Sequence, residues 1–338
     1  MKATVIILAY KHERFIVEAL TAIAMQTRPA DEIIVVDDAS PDETPALINA
    51  FISKHPALPI RFLRNPSNLG VTGSYARAVA AAGGDVIFTA AGDDISKSER
   101  LELCLDYLAM RPTTFGVITN AEIIDDASRT VGRLDNCAGA NQPMSLGLDD
   151  LPAGEHFLRG RSSCGAAAAY RSAAFREFSP MRAGIYAEDD PSAFRAMLLG
   201  SCDFLPIALT RWRRHENNLS HGTGLRRGPE MATHYHRCEA MIDQMLSDAS
   251  EWAAKNPDAS HRLDKALANL RLQKAKWSLW AAAHEAGVSL SVFLASAKEL
   301  RAHSPTKLDF LAQAWRPFVG MLTPYAIQRF LARHRQHR

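Results

Sequence analysis

The sequence predicts an α/β fold, a mostly parallel sheet flanked by helices, with a helical C-terminal extension. Short β-branched runs alternate with amphipathic stretches through the first 120 residues, the pattern of parallel strands covered by helices. Beyond Glu230 the apolar pattern turns helical throughout. The chain has 338 residues, enough to bury a core without disulfide or metal staples.

Strands are expected at Thr4–Leu8, Glu32–Val36, Ile60–Leu63, Asp85–Thr89 and Phe115–Thr119, with helices at Glu13–Met25, Glu43–Lys54, Val71–Ala82 and Ser98–Met110. Ser96 or Ser98 is the expected N-cap of the last helix. Sheets of this kind collect ligands where strands end at their carboxyl edges. From Asn120 to Pro152 the chain is polar and rich in Gly, Asn and Pro, which predicts a loop-rich connection. A buried strand or apolar segment (Ser163–Tyr170), a helix (Pro191–Leu199), a strand (Phe204–Arg211) and a mobile loop (Ser220–Pro229) should follow. In the helical region Leu263, Leu267 and Leu270 share a face, and Gly287 then Ser289 mark a stop and a start.

Composition narrows the function classes. Apolar residues make up 47% and charged residues 22%, and a net charge of +2 gives no electrostatic case for nucleic acid as a partner. The charge is uneven: Arg301–Arg338 contains seven Lys/Arg against Asp309 alone, net +6, which leaves the first 300 residues at −4. In the same tail, Trp315, Phe318, Tyr325 and Phe330 mingle with the basic residues. Such a segment either makes peripheral contact with an anionic membrane or packs on the body or a second subunit of a homo-oligomer. Pro317 and Pro324 interrupt it as a helix. Five widely spaced cysteines without a CxxC pair suggest a reducing compartment. One lysine precedes the first strand, too little for a signal peptide, and no run approaches the roughly 18 apolar residues of a membrane span. The expected location is therefore cytoplasmic, or peripheral on the inner face of the membrane.

The chemistry-bearing residues lie at predicted strand ends. The second strand runs into Asp37-Asp38, followed by Ala39-Ser40-Pro41-Asp42. Carboxylates there accept hydrogen bonds from a base N–H or ribose hydroxyls, although Ser40 or Asp42 is also suited to cap the next helix. The fourth strand runs into Ala91-Gly92-Asp93-Asp94. Hard oxygen ligands at such an edge suit Mg²⁺ or Mn²⁺, and the alternative is a solvated turn.

These pieces occur in an ordered set: Val5–Tyr10, Gln26-Thr27, Glu32–Ser40, Asn68–Val71, Gly92–Ile95, Glu188-Asp189 with Arg195, and Arg211–Ser220. The set resembles the family 2 glycosyltransferases, inverting enzymes with the GT-A fold, over about residues 3–220. The resemblance implies a Rossmann-like nucleotide-binding sheet and a division into a transferase domain (1–225) and a helical C-terminal region (226–338). Within the first, 1–119 would bind the nucleotide sugar and 120–225 the acceptor. It implies a nucleotide-diphosphate sugar donor, a glycan or lipid-linked acceptor of the kind used in polysaccharide biosynthesis, and a divalent metal.

Residue by residue, the resemblance places Ala9 and Tyr10 against the base, Asp38 in hydrogen bonds to it and Asp37 in support of the turn. Tyr10 is equally readable as a half-buried core residue. Asp93 matches the metal-binding acid of the family's Asp-x-Asp motif, whose first acid is Ala91 here, so either Asp94 and water complete the metal shell or a ribose contact is lost and nucleotide affinity falls. Glu188-Asp189 matches the catalytic acidic motif, with Asp189 as base; Asp190 competes, and the trio also favours a helix N-terminus. His215 would ligate the metal or serve as a structural histidine, Arg213 or Arg214 would meet phosphate oxygens, and Arg226 and Arg227 would join a lid or form a solvated turn.

Competing classes fare worse. A nicotinamide dehydrogenase needs GxGxxG after the first strand, where this chain has Ala9-Tyr10-Lys11-His12-Glu13-Arg14; the glycine-rich loop of a sugar-nucleotide pyrophosphorylase is missing for the same reason. No Walker A sequence occurs. The alternative that survives is a catalytically weak GT-A-like protein that binds a sugar nucleotide or glycan, supported by Ala91.

Overall fold

The β-branched runs of the N-terminal half become parallel strands of one sheet. The structure is a computed structural model that describes residues 1–136, 139, 141–150, 164–215, 218, 228–284, 290–307, 310, 311 and 314. Its strands are β1 (Ala3–Ala9), β2 (Glu32–Asp37), β3 (Ile60–Arg64), β4 (Val86–Ala91), β5 (Ile95–Ser96), β6 (Thr114–Ile124), β7 (Thr130–Leu134), β8 (Met144–Leu146), β9 (Ala168–Arg171) and β10 (Ser201–Arg213). Its helices are α1 (Ile16–Ala24), α2 (Thr44–Lys54), α3 (Gly70–Ala81), α4 (Arg100–Met110), α5 (Ala173–Arg176), α6 (Asp189–Leu199), α7 (Gly228–Lys255), α8 (Asp264–His284) and α9 (Leu290–His303).

The main path of the sheet is β3-β2-β1-β4-β9-β6-β10-β5. Strands β3, β2, β1 and β4 are mutually parallel, β9 runs antiparallel between β4 and β6, and β10 is parallel to β6. Short β5, β7 and β8 add antiparallel edges. Alternate strand residues face opposite layers, as a pleat requires. Val5, Ile7, Val35 and Phe88 pack with α1, α2 and α4 through Ile16, Leu20, Ile48 and Leu101. Ile6, Ile34, Val36 and Ile87 pack with α3, α5 and α6 through Tyr75, Ala78, Phe175 and Phe194.

The C-terminal helices extend this second core. Ile242, Met245 and Ala249 of α7 and Ala266 and Leu270 of α8 belong to the same buried cluster, together with Leu263 and the partly buried Leu267. A buried ion pair fixes the contact. Arg195 of α6, 1% exposed, donates from Nε and Nη2 to Asp248 of α7, 0% exposed, both at 2.8 Å. Gln244 adds a third donor to Asp248, and Arg195 Nη2 also reaches the Ser179 carbonyl. A bidentate pair so fully enclosed holds geometry more than it adds net stability, because desolvation offsets much of the attraction.

The five expected N-terminal strands and four helices are present within a few residues. The stretch expected to be loop-rich is more ordered: β6 continues to Ile124, and β7 and β8 follow it. Thr119, Asn120 and Glu122 hide the end of β6 by polarity, and β7 is an almost wholly exposed edge strand with no apolar alternation to reveal it. Neither serine caps α4. Glu99 holds the N-cap position without a side-chain bond, Ser96 Oγ accepts from Arg100 Nη1, and Ser98 donates to Glu99. Most of the expected Ser220–Pro229 loop, the Gly287/Ser289 break, Arg226, Arg227 and the Trp315–Arg338 tail lie outside the described residues. Among the described residues no helix is long and apolar enough to cross a membrane.

Candidate functional site

The carboxyl ends of β1, β2, β3, β4 and β10 converge with the N-terminus of α6, which brings most of the expected site residues to one edge. The turns after β1 and β2 are stitched together. Asp38 N donates to the Ala9 carbonyl (2.9 Å), Lys11 N to Ser40 Oγ (3.0 Å) and His12 N to Thr44 Oγ1 (2.9 Å). These bonds hold Lys11 and Ala39 at φ of 59° and 58°, a left-handed conformation costing non-glycine residues about 1–3 kcal/mol each. Asp42 Oδ1 accepts from Thr44 N two residues on, a turn bond just before α2, whose N-cap position belongs to Glu43 and carries no side-chain cap bond.

Ala9 is buried, whereas Tyr10 is 38% exposed with the Lys11 ammonium 5.2 Å from its ring centre. Tyr10 is thus available as a planar surface and is not a core residue. Asp37 is fully buried; its Oδ2 accepts from Ser40 N and lies 3.4 Å from Arg64 Nε, and its Oδ1 has no partner among the described residues. Asp38 organises the next loop. Its Oδ1 accepts from Asn65 Nδ2 and Leu69 N, both at 2.7 Å, and its Oδ2 from Gly70 N at 2.9 Å. Gly70 has φ of 74°, and α3 starts there, so Asp38 receives the N–H groups at the start of that helix from a neighbouring strand. Three of about four acceptor positions on the carboxylate are occupied, leaving one for a ligand.

Asp93 sits between two imidazoles. His215 Nε2 is 2.9 Å from its Oδ2 and His12 Nε2 is 3.7 Å away, with Asn218 Nδ2 at 3.3 Å. Burial pushes the Asp93 carboxyl up, but the two histidines outweigh it and hold the group below the usual carboxylate range. Burial pushes the His12 imidazole down. Asp94 behaves oppositely: burial first, then the Asp93 charge, raise it well above the usual range. Its Oδ1 accepts from Arg213 N at 2.7 Å, tying β4 to β10.

Arg213 requires a correction to the phosphate-facing expectation. Its guanidinium is fully buried and donates to the carbonyls of Asp93 and Asp125, to Ser128 Oγ and, at 2.6 Å, to Glu18 Oε2. It also lies 4.5 Å from the Phe15 ring centre. With its fork spent on protein acceptors, Arg213 bolts the β10 end to α1 and the Asp125–Ser128 turn. Its neighbour Arg214 is the exposed one.

Across the edge, Glu188 and Asp189 stand at the N-terminus of α6 and share a side-chain hydrogen bond. Burial, then the charges of Glu188 and Asp190, raise Asp189 well above the usual carboxylate range; burial also raises Glu188. Gly165 makes room for the pair, since a Cβ there would lie 2.5 Å from Asp189 Oδ1 and 2.6 Å from Glu188 Oε1. Cys164, next to Gly165, is buried: burial raises its thiol most, followed by the charges of Asp189 and Asp94. Arg195 points the other way, to Asp248.

Sequence reasoning missed His12, Asn65 and Gly165. Only His12 had a legible signal: a histidine two residues after the aromatic at the end of β1, in a chain whose metal motif lacks its first acid. Among the described residues no three His, Cys, Asp or Glu side chains already converge as a metal cluster.

A family model described as Glycosyl transferase family 2 matches residues 4–178, just over half of the chain. An uncharacterized protein of Mycobacterium tuberculosis is 25% identical over 246 residues, 72% of this chain and 67% of its own length. An uncharacterized glycosyltransferase of Nostoc sp. is 28% identical over 131 residues, 39% of this chain and 40% of its own. The crystal structure of S. aureus TarS 1-349 in complex with UDP-GlcNAc matches with a TM-score of 0.58 at 15% identity, covering 94% of this chain and 90% of that one. The mannosyltransferase PcManGT from Pyrobaculum calidifontis, in complex with GDP-Man and Mn²⁺, matches with a TM-score of 0.50 at 16% identity, covering 98% and 84%. Likeness at these identities is likeness of fold.

Proposed function

The chain belongs to glycosyl transferase family 2 and is a glycosyltransferase with the GT-A fold, and from that premise we propose how this site works. It transfers a sugar, with inversion, from a nucleotide-diphosphate sugar to a glycan or lipid-linked acceptor. The observation that carries this reading is the presence of two largely buried acidic groups, Asp93-Asp94 after β4 and Glu188-Asp189 at the start of α6, on the carboxyl side of the sheet.

The donor nucleotide lies over Ala9 and the exposed Tyr10 ring, with Asp38 at the base, Asp37 supporting the turn behind it and Asp94 positioning the Asp93 turn through Arg213. An aromatic face supplies stacking to any planar base. Asp93 and His215 would hold a divalent metal, Mg²⁺ or Mn²⁺; a carboxylate with an adjacent imidazole is a fitting donor set. When bound, the metal would neutralise charge on the diphosphate. Arg214, exposed beside Arg213, takes the phosphate-facing role.

Asp189 accepts the acceptor hydroxyl proton as that oxygen forms its bond to the anomeric carbon. The bond to the diphosphate breaks on the opposite face, and the nucleoside diphosphate leaves with the electron pair. A base with a raised proton affinity, hydrogen-bonded to Glu188, suits this task better than an ordinary surface carboxylate. In this reading residues 1–225 are the transferase and 226–338 the C-terminal region, whose basic tail either contacts an anionic membrane surface or packs on the body or a second subunit.

UDP-, GDP- and dTDP-sugars tested with Mn²⁺ or Mg²⁺, with and without glycan acceptors, check the reading by nucleotide release. Turnover abolished in Asp189→Asn with donor binding retained is the expected result. Ala91 favours a second reading, a weakly catalytic sugar-nucleotide binder; binding without turnover across the panel would select it.

A further inference from the structure

The connector 177–188, between α5 and α6, carries Glu188 and leads straight into Asp189, yet it holds no helix or strand of its own. Its shape comes from α7. The Lys255 ammonium donates to the Glu177 carbonyl, Ser179 N donates to Glu251 Oε2 at 3.0 Å, and Arg182 N donates to Gln244 Oε1 at 3.0 Å. Tyr186 N reaches the Arg237 carbonyl at 3.3 Å, and the Tyr186 ring meets His234 edge-on with centroids 4.7 Å apart. The connector thus runs antiparallel to α7, meeting Lys255 first and His234 last. Its partners recur at helical spacing and form one stripe along α7.

The same stripe grips α6. Asp248 accepts from Arg195 Nε and Nη2, both at 2.8 Å, while Gln244 Nε2 donates to Asp248 Oδ1 at 2.9 Å. Gln244, 2% exposed, therefore joins the connector backbone to the ion pair through the two ends of its amide. Arg195 Nη2 closes the circuit on the Ser179 carbonyl at 2.8 Å. Asp189 stands where the connector meets α6, and Ser192 ties that junction by donating from N and Oγ to the Glu188 carbonyl at 3.0 and 2.7 Å.

We propose that α7 is the template that sets the position of Asp189, with Gln244, Asp248 and Glu251 as positioning residues, so that the C-terminal helical region belongs to the working transferase and is not an appendage to it. A connector without its own ladder of hydrogen bonds has many conformations open to it, and each α7 side chain that accepts one of its N–H groups removes some of them. The demand is strict, because a displacement of about 1 Å at a reacting group can cost about a hundredfold in rate. Donor binding draws instead on the ends of β1, β2 and β4. The template should therefore govern rate and not nucleotide affinity.

The template's role rests on the reading of Asp189 as base, and one experiment separates the two. Nucleoside diphosphate release by the full chain is followed with whichever of the UDP-, GDP- or dTDP-sugars the wild type turns over, and affinity for the matching nucleoside diphosphate is measured by calorimetry. Gln244→Met, close in size and without either bond, should lower kcat by about tenfold or more with affinity and near-UV circular dichroism unchanged. Glu251 is partly exposed, and Glu251→Ala should lower kcat by about threefold. Glu251→Gln keeps the accepting oxygen and should restore the wild-type rate. If Gln244→Met does not fold, the two Glu251 variants carry the same test. Wild-type kcat in Gln244→Met and Glu251→Ala, with Asp189→Asn inactive, would overturn the template and leave the base reading standing. Weakened nucleotide affinity with kcat intact would overturn it too. Asp189→Asn turning over as fast as the wild type would overturn the base reading and the template with it, as would a wild type that turns over no donor.

Discussion

Asp93 and Asp189 are both enclosed carboxylates at the same sheet edge, and their surroundings drive them apart. Asp93 has two imidazoles beside it and is held low, so it stays an anion. Asp189 has burial and two further carboxyl groups, Glu188 and Asp190, and is held high, so it takes up a proton readily. One environment suits a cation ligand and the other a general base, and a difference of this kind separates roles that sequence alone leaves equal. The supports differ too. Asp93 is fixed by short-range strand ends and the buried Arg213 bolt, whereas Asp189 rides on α6, whose other anchor is Arg195 on the C-terminal helices.

The comparison can be broken at several points. The largest effect should come from Asp189→Asn, which removes the base and should lower kcat by about 10²–10⁴-fold with nucleotide-sugar affinity unchanged by calorimetry. Asp248→Ala leaves Arg195 charged and buried, and should cost about 3–5 kcal/mol in chemical denaturation, the range for breaking an enclosed pair. A loss under about 1 kcal/mol there would mean that this pair does not anchor α6. Asp93→Ala should weaken metal-dependent donor binding by about tenfold or more in the same calorimetric assay, and unchanged affinity would remove it from the metal site. The smallest effect concerns Asp190→Asn. Removing that like charge should lower the proton affinity of Asp189 and move the acid limb of the kcat–pH profile to lower pH, with little change in the plateau.

Strands β1, β2 and β4 were legible because each is a short apolar run buried on both faces. Strand β7 was not, because an exposed edge strand needs no apolar alternation and its pairing with β6 is a tertiary event. At the site, the ordered motifs brought forward Asp93, Asp189 and His215. They could not show that Arg213 turns inward, since Glu18, Asp125 and Ser128 reach it only through the folded chain. Nor could they show that His12 meets Asp93, a contact made by the adjacency of β1 and β4 in the sheet. Asp38 was legible as a candidate, but not as the acceptor that receives the Leu69 and Gly70 N–H groups at the start of α3.

The division between the two aspartates is tested most directly by the pH dependence of kcat at saturating donor and Mn²⁺, where the metal ligands no longer set the rate. On the proposed assignment, lowering the pH protonates Asp189, and activity should fall because the base is lost. With burial, Glu188 and Asp190 all raising its proton affinity, the acid limb should lie above the usual carboxylate range and disappear in Asp189→Asn. An acid limb at or below that range, or one that persists in Asp189→Asn, would contradict the assignment.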